Sequence, residues 1–118
     1  MEFKKFKAAT VQTSPVFLNV EKTVDKAISF IKEAASNQAK LIAFPEVFIS
    51  GYPYWNWIMT PVQGSNWYEE LYKNSVDVAG PEIKKLCLAA KENDMHVVVG
   101  INERGKSYGE IYNTNYTP

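Results

Sequence analysis

The feature that most constrains the fold is an amphipathic helical pattern between two short apolar runs. Over residues 20–37, apolar side chains recur at the spacing of one helical face, with charged residues between them. Asn19 precedes the pattern and suits a helix N-cap. Residues 6–12 before it and residues 41–44 after it are each predicted to form a strand. A strand, a helix and a second strand make a βαβ unit with parallel strands, so the sequence predicts an α/β fold.

The rest of the chain extends the same sheet. Residues 65–76 are predicted to be helical, and Pro81 suits the first position of another helix. Residues 95–101 are β-branched and apolar, which indicates a central strand, and residues 108–116 alternate as its antiparallel hairpin partner. Four strands and two or three helices leave an apolar sheet face to cover. We therefore expect the chain to be part of a larger domain.

Composition excludes several classes of function. The 118 residues carry a formal net charge of zero, which argues against binding to nucleic acid or to an anionic membrane surface. The single cysteine fits a reducing compartment. Residues 1–7 have no apolar stretch behind their charges, so no signal peptide is expected, and no apolar run approaches membrane-spanning length. These features predict a soluble, cytoplasmic protein of one domain or part of one.

Glu46 is the leading candidate for chemistry. Pro45 cannot donate to a sheet ladder, so the preceding strand should end there and deliver Glu46 to its carboxyl end, where open α/β sheets place their sites. The apolar residues around Glu46 would make its charged form costly, which favours a role as a base. From the residues alone, a capping or salt-bridging carboxylate is the alternative.

The segment after Glu46 is unusually rich in aromatic residues, and Gly and Pro interrupt it. Such a segment after a strand end indicates a pocket wall or a partner interface. Large rings that fill a core beneath a loop are the equal alternative. Neither metal nor cofactor is expected, because one His (His96) and one Cys (Cys87) cannot make a zinc site of ordinary spacing. Cys87 lies in mid-helix among apolar residues, so we interpret it as structural rather than nucleophilic.

The motifs at residues 44–48 (Phe-Pro-Glu-Val-Phe) and 51–55 (Gly-Tyr-Pro-Tyr-Trp) resemble the nitrilase family of carbon-nitrogen hydrolases, most closely its nitrile-hydrolysing branch. Further segments resemble the family in the same order, so the resemblance covers nearly the whole chain; they are residues 8–12, 74–81, 97–104 and 111–114. The resemblance implies the N-terminal portion of a nitrilase-type α-β-β-α sandwich. Residues 1–118 would form the N-terminal part of one hydrolase domain, truncated before the Lys and Cys motifs of the family.

The resemblance also implies a Glu-Lys-Cys mechanism, in which a thiolate attacks the nitrile carbon and the Glu acts as general base. By match to the motif, Glu46 is that Glu. Three aromatic residues are candidates for substrate binding by their position near it: Tyr52, Tyr54 and Trp57. Glu103 is a weaker candidate, and a solvated charge after a strand is its alternative reading.

The implied activity is hydrolysis of a nitrile to a carboxylic acid and ammonia by the full-length protein, with the 118-residue chain inactive alone. The alternatives are an amidase or carbamoylase of the same superfamily, which would take an amide, and a non-catalytic or partner-dependent half-domain. Expected partners are a small-molecule nitrile or amide and further copies of the full-length chain, since family members form homo-oligomers. A C-terminal companion chain that supplies the Lys and the Cys is the other partner considered.

Overall fold

Residues 2–118 form four strands and three α-helices, with a short 3-10 helix at Tyr54–Trp57. A computed structural model describes residues 2–118. Met1 lies outside the described residues; it begins the segment, residues 1–7, in which no signal peptide is expected. In chain order the elements are β1 (Ala8–Thr10), α1 (Val20–Ser36), β2 (Leu41–Ala43), α2 (Ser65–Lys73), α3 (Pro81–Glu92), β3 (His96–Arg104) and β4 (Ile111–Tyr116). None of the helices within residues 2–118 is both long and apolar enough to cross a membrane.

Helix α1 forms where the sequence pattern predicts it. Asn19 is extended, at φ −135°, and its side-chain oxygen accepts a hydrogen bond from the backbone N–H of Lys22 at 3.0 Å, which caps the helix. The apolar stripe is buried and includes Val24, Ala27 and Ile31. Because the charged residues lie on the opposite face, burial of this stripe fixes how the helix packs.

The four strands form one sheet in the order β1-β2-β3-β4. Strands β1, β2 and β3 are parallel to one another, and β4 is antiparallel to β3. Both the βαβ unit and the hairpin predicted from the sequence are therefore confirmed, and the fold is α/β. The elements differ from the predictions at their ends: β1 and β2 have three residues each, α2 ends at Lys73, β3 continues to Arg104, and β4 begins only at Ile111.

The helices α1 and α3 cover one face of the sheet. The strand residues that point towards them are fully buried and include Ile42, Val97, Val99 and Ile101. The second face contains the residues of opposite parity, and these are half-buried or exposed along β1 and β2. On this second face the ladder places Asn113 opposite Asn102. We call it the open face of the sheet.

Candidate active site

Glu46 lies in a turn at the carboxyl end of β2. The backbone N–H of Phe44 donates to the carbonyl of Val98 at 2.9 Å and continues the pairing with β3 by one residue. Pro45 has no N–H to donate, and its carbonyl accepts from Phe48 at 3.3 Å, which closes the turn. The predicted position of Glu46 at a strand end is what the structure shows.

The prediction that apolar residues surround the Glu46 side chain is wrong: within residues 2–118, no apolar shell encloses it. Its side chain is exposed, whereas Val47, Phe48 and Ile49 after it are buried. The turn directs these three apolar side chains into the protein and leaves the carboxylate outside. Neighbours in sequence therefore do not desolvate Glu46, because the chain reverses between them.

Val47, the residue after Glu46, has an unusual backbone conformation. Its φ is +41°, a region that β-branched residues seldom adopt. Such a conformation costs about 1–3 kcal/mol and persists only where the surroundings hold it. Here the carbonyl of Val47 accepts from Gly51 at 2.9 Å, and the Val47 side chain is buried. Because strain of this kind clusters at active sites, it supports the turn as a functional element.

Gly100, in the middle of β3, lies directly against the turn. A Cβ atom at this position would lie 2.4 Å from the carbonyl oxygen of Pro45 and 2.5 Å from the nitrogen of Val47. Only glycine allows the backbone on either side of Glu46 to approach the sheet this closely. The position of Glu46 on the open face therefore depends on the missing side chain at residue 100.

Asn102, also in β3, holds the far end of the same loop. Its side-chain amide donates to the carbonyl of Ile49 at 3.1 Å and to that of Gly51 at 2.9 Å. The side chain is 3% exposed, so water does not replace these bonds. The loop from Pro45 to Gly51 is thus fixed to β3 at both ends.

We expect Asn102→Ala to lower the free energy of unfolding by about 1–3 kcal/mol, because two buried hydrogen bonds are lost and the Gly51 carbonyl loses its donor. Urea denaturation of the two proteins measures the difference. Asn115→Ala, at an exposed position on β4, is the control and should change the stability by less than about 0.5 kcal/mol. Equal midpoints for the two variants would show that the Asn102 amide does not hold the loop.

Asn113, in β4, contacts the carboxylate itself. Its Nδ2 donates to Oε1 of Glu46 at 2.6 Å, although the two residues are 67 positions apart. Both side chains are exposed on the open face. A hydrogen bond to a charged acceptor is shorter and stronger than one between neutral groups. The sequence motifs do not indicate Asn113, Gly100 or Asn102 as residues that contact Glu46 or its loop.

The three aromatic candidates lie beyond the turn. Tyr52 is half-buried, and its ring centroid is 5.1 Å from that of Tyr54. Tyr54 is 67% exposed and Trp57 is 77% exposed. By contrast Trp55 is buried and stacks on Trp67 at 6.0 Å. Trp55 therefore fills a core beneath the loop, whereas Tyr54 and Trp57 remain accessible and Tyr52 is partly so.

The alternative interpretation of Glu103, a solvated charge after a strand, is wrong. It lies within β3 and is half-buried. Its Oε1 accepts a hydrogen bond of 2.9 Å from the hydroxyl of Thr114 on β4. This bond joins the two strands of the hairpin and gives Glu103 a structural explanation.

Cys87 and His96 lie away from Glu46. Cys87 is half-buried in α3 and packs against the core. His96 is the first residue of β3 and pairs with Leu41 at the amino end of β2, whereas Glu46 follows the carboxyl end. Both side chains line one shallow cavity of about 320 Å³ at that opposite end. The geometry does not bring either of them to the carboxylate.

Known proteins resemble this chain in sequence and in fold. The family model for carbon-nitrogen hydrolases matches residues 7–117. The chain belongs to the carbon-nitrogen hydrolase family. It is 46% identical over 110 residues to an aliphatic nitrilase of Rhodococcus rhodochrous, and 42% identical over 112 residues to a nitrilase of Bacillus sp. (strain OxB-1). A cyanide hydratase of Leptosphaeria maculans is 42% identical over 103 residues.

These matches cover most of this chain but a minor part of each relative. They cover 92%, 95% and 87% of the chain, and 30%, 32% and 29% of the respective relatives. The chain thus spans about a third of the length of the curated relatives it matches. Among solved structures, the glutamine-dependent NAD+ synthetase of Acinetobacter baumannii, determined with ADP, matches at a TM-score of 0.57 and 23% identity, over 96% of this chain and 18% of that one. At this identity the match supports the fold alone.

Proposed function

We propose that this chain is the N-terminal part of a nitrilase, in which Glu46 is the general base for hydrolysis of a nitrile to a carboxylic acid and ammonia. The observation that carries the proposal is the 42–46% identity, across nearly the whole chain, to proteins named nitrilase and aliphatic nitrilase. The geometry of Glu46 is compatible with this role, because an exposed carboxylate at a strand end can meet groups from elsewhere.

The chemistry assigned to Glu46 needs two further groups. A cysteine thiol adds to the nitrile carbon, and its proton passes through Glu46 to the nitrogen, which gives a thioimidate. Water then adds with Glu46 as base, ammonia leaves, and a second water releases the acid from the thioester. A lysine stabilises the negative charge that develops during these additions. The proposal places the Lys and the Cys outside these 118 residues, in a longer chain or a companion chain.

The three aromatic candidates are proposed as walls of the nitrile pocket. Tyr52, Tyr54 and Trp57 follow the turn that carries Glu46; Tyr54 and Trp57 are exposed to a substrate, and Tyr52 is half-buried beside Tyr54. Ligand sites are lined mainly by apolar and aromatic side chains. A hydrophobic nitrile therefore suits this segment better than a charged substrate does.

The cyanide hydratases among the relatives favour a second candidate, hydration of the carbon–nitrogen triple bond with release of an amide. Both reactions pass through the same addition to the nitrile carbon and differ in which group leaves the tetrahedral intermediate. An amidase or carbamoylase would use the same three residues on an amide. The ratio of acid to amide formed from one nitrile separates the nitrilase from the hydratase, and turnover of a supplied amide but not of the nitrile would identify the amidase or carbamoylase.

The test uses an assembled enzyme, which we define as this chain in place of the matching 112 residues of the Bacillus nitrilase. We expect the assembled enzyme to release ammonia and acid from a nitrile, and the 118-residue chain alone to release none, because it lacks the nucleophile. A colorimetric ammonia assay with product chromatography measures both.

Two results would contradict the proposal. One is an assembled enzyme that is folded by circular dichroism and yet turns over neither nitrile nor amide. The other is turnover by the chain alone that Cys87→Ala abolishes, because Cys87 would then be a nucleophile rather than a core residue. Formation of amide without acid would favour the hydratase alternative instead.

A further inference from the structure

We infer that Asn113 is a positioning residue for Glu46, and that its amide holds the carboxylate so that Oε2 is the oxygen that takes the proton. The inference rests on the proposed role of Glu46 as a general base. Its basis is the 2.6 Å hydrogen bond from Asn113 Nδ2 to Glu46 Oε1. Asn113 acts through Glu46 and is assigned no contact with the substrate.

An exposed glutamate needs an external contact to keep one orientation. Its side chain has several rotatable bonds, and exposure leaves many rotamers open to it. Within residues 2–118, the bond from Asn113 is the one hydrogen bond made to the Glu46 carboxylate, and no ion pair reaches it. Asn113 is therefore the group in this part of the protein that selects an orientation for the base.

Asn113 is itself held in a fixed position. It pairs with Asn102 in the β3–β4 ladder, and Asn102 clamps the carbonyls of Ile49 and Gly51 in the loop after Glu46. One strand pair thus fixes both the backbone of the loop and the side chain at its start. A carboxylate that is fixed relative to the sheet can be aimed at a reacting atom, and small displacements of such groups are costly to catalysis.

An amide is a better hydrogen-bond partner for a carboxylate that acts as a base than a cationic side chain would be. An amide N–H stabilises the carboxylate without neutralising it, so Glu46 keeps its ability to accept a proton. The hydrogen bond occupies Oε1 and leaves Oε2 for the proton that is transferred. Asparagine is also uncommon in strands, so its place in β4 is better explained by this contact than by strand propensity.

The experiment compares Asn113→Asp, Asn113→Ala and the control Asn115→Asp in the assembled enzyme. Asn115 lies two residues along β4 and is also exposed, so its variant adds the same charge to the same strand. We expect both substitutions of Asn113 to lower kcat roughly 10- to 100-fold, with KM changed by less than about threefold. The Asp variant should be the slower one at neutral pH, because two carboxylates then face each other.

The pH dependence separates positioning from a merely structural role. When the introduced carboxyl group binds a proton, it becomes a hydrogen-bond donor of about the same length as the amide. The activity of Asn113→Asp relative to wild type should therefore rise as the pH falls. A structural role predicts no such gain, and Asn113→Ala, which has no group that protonation turns into a donor, should not regain activity as the pH falls.

The outcomes distinguish failure of the inference about Asn113 from failure of the proposed function of Glu46. If Asn113→Asp and Asn115→Asp have equal kcat while Glu46→Gln is inactive, the inference is overturned and the proposed function stands. If Glu46→Gln keeps wild-type activity, the proposed function fails, and the inference fails with it. If Asn113→Asp lowers the melting temperature more than the control does, Asn113→Ala supplies the comparison without the added charge, and wild-type kcat in that variant would also overturn the inference.

Discussion

Glu46→Gln in the assembled enzyme is expected to lower kcat by about 100-fold or more, since a general base contributes about 10²–10⁴-fold to rate. The amide of the variant has nearly the shape of the carboxylate, and its oxygen can still accept the hydrogen bond from Asn113. The amide cannot take a proton from a thiol or from water. The chemistry is therefore removed while the surrounding contacts are kept. Ammonia release over a range of nitrile concentrations gives kcat and KM for each protein.

The control for this substitution is Glu92→Gln, which removes the same charge from an exposed position at the end of α3. It should leave kcat unchanged. Because Glu46 is exposed, its own substitution should leave the melting temperature within about 2 °C of wild type. A kcat for Glu46→Gln within threefold of wild type would show that another group is the base.

The fold could be predicted because its determinants are periodic and local. The apolar stripe of α1, the Asn19 cap and the β-branched run of β3 each specify one element by themselves. The order of strand, helix and strand then requires a parallel crossover. The predicted and observed elements differ at their ends. Strands β1 and β2 are short because only three residues of each pair with the neighbouring strand.

The site could be predicted only in part, because two of its determinants do not follow from local pattern. The chain reverses after Glu46 with a positive φ at Val47, and a run of apolar residues carries no sign of such a reversal. The hydrogen bond from Asn113 joins residues that are 67 positions apart. Two signals were nevertheless present: a glycine inside the apolar strand β3, which indicates close backbone approach, and asparagines in the hairpin strands, where they are disfavoured.

Gly100→Ala is the second substitution with a large expected effect. The added methyl group would meet backbone atoms of Pro45 and Val47 at 2.4 and 2.5 Å, and backbone cannot rotate aside as a flexible side chain can. The loop must therefore move away from β3, which strains the bond from Ile49 to the carbonyl of Gly100. We expect the free energy of unfolding to fall by about 2–3 kcal/mol. A shift of Glu46 by about 1 Å should also lower kcat of the assembled enzyme about 100-fold.

Gly109→Ala is the control for Gly100→Ala, because it introduces backbone strain without a steric clash. Gly109 lies before β4 with φ at +86° and no neighbouring atom within 4 Å of an added Cβ, so its substitution costs strain alone, about 1–2 kcal/mol. Its kcat should stay at the wild-type value, because Glu46 does not move. Urea denaturation and ammonia release are measured on both variants. Gly100→Ala should lose both stability and activity, whereas Gly109→Ala should lose stability alone. If Gly100→Ala lost stability but kept full activity, Glu46 would not need the close approach to β3, and the turn would serve the fold rather than the chemistry.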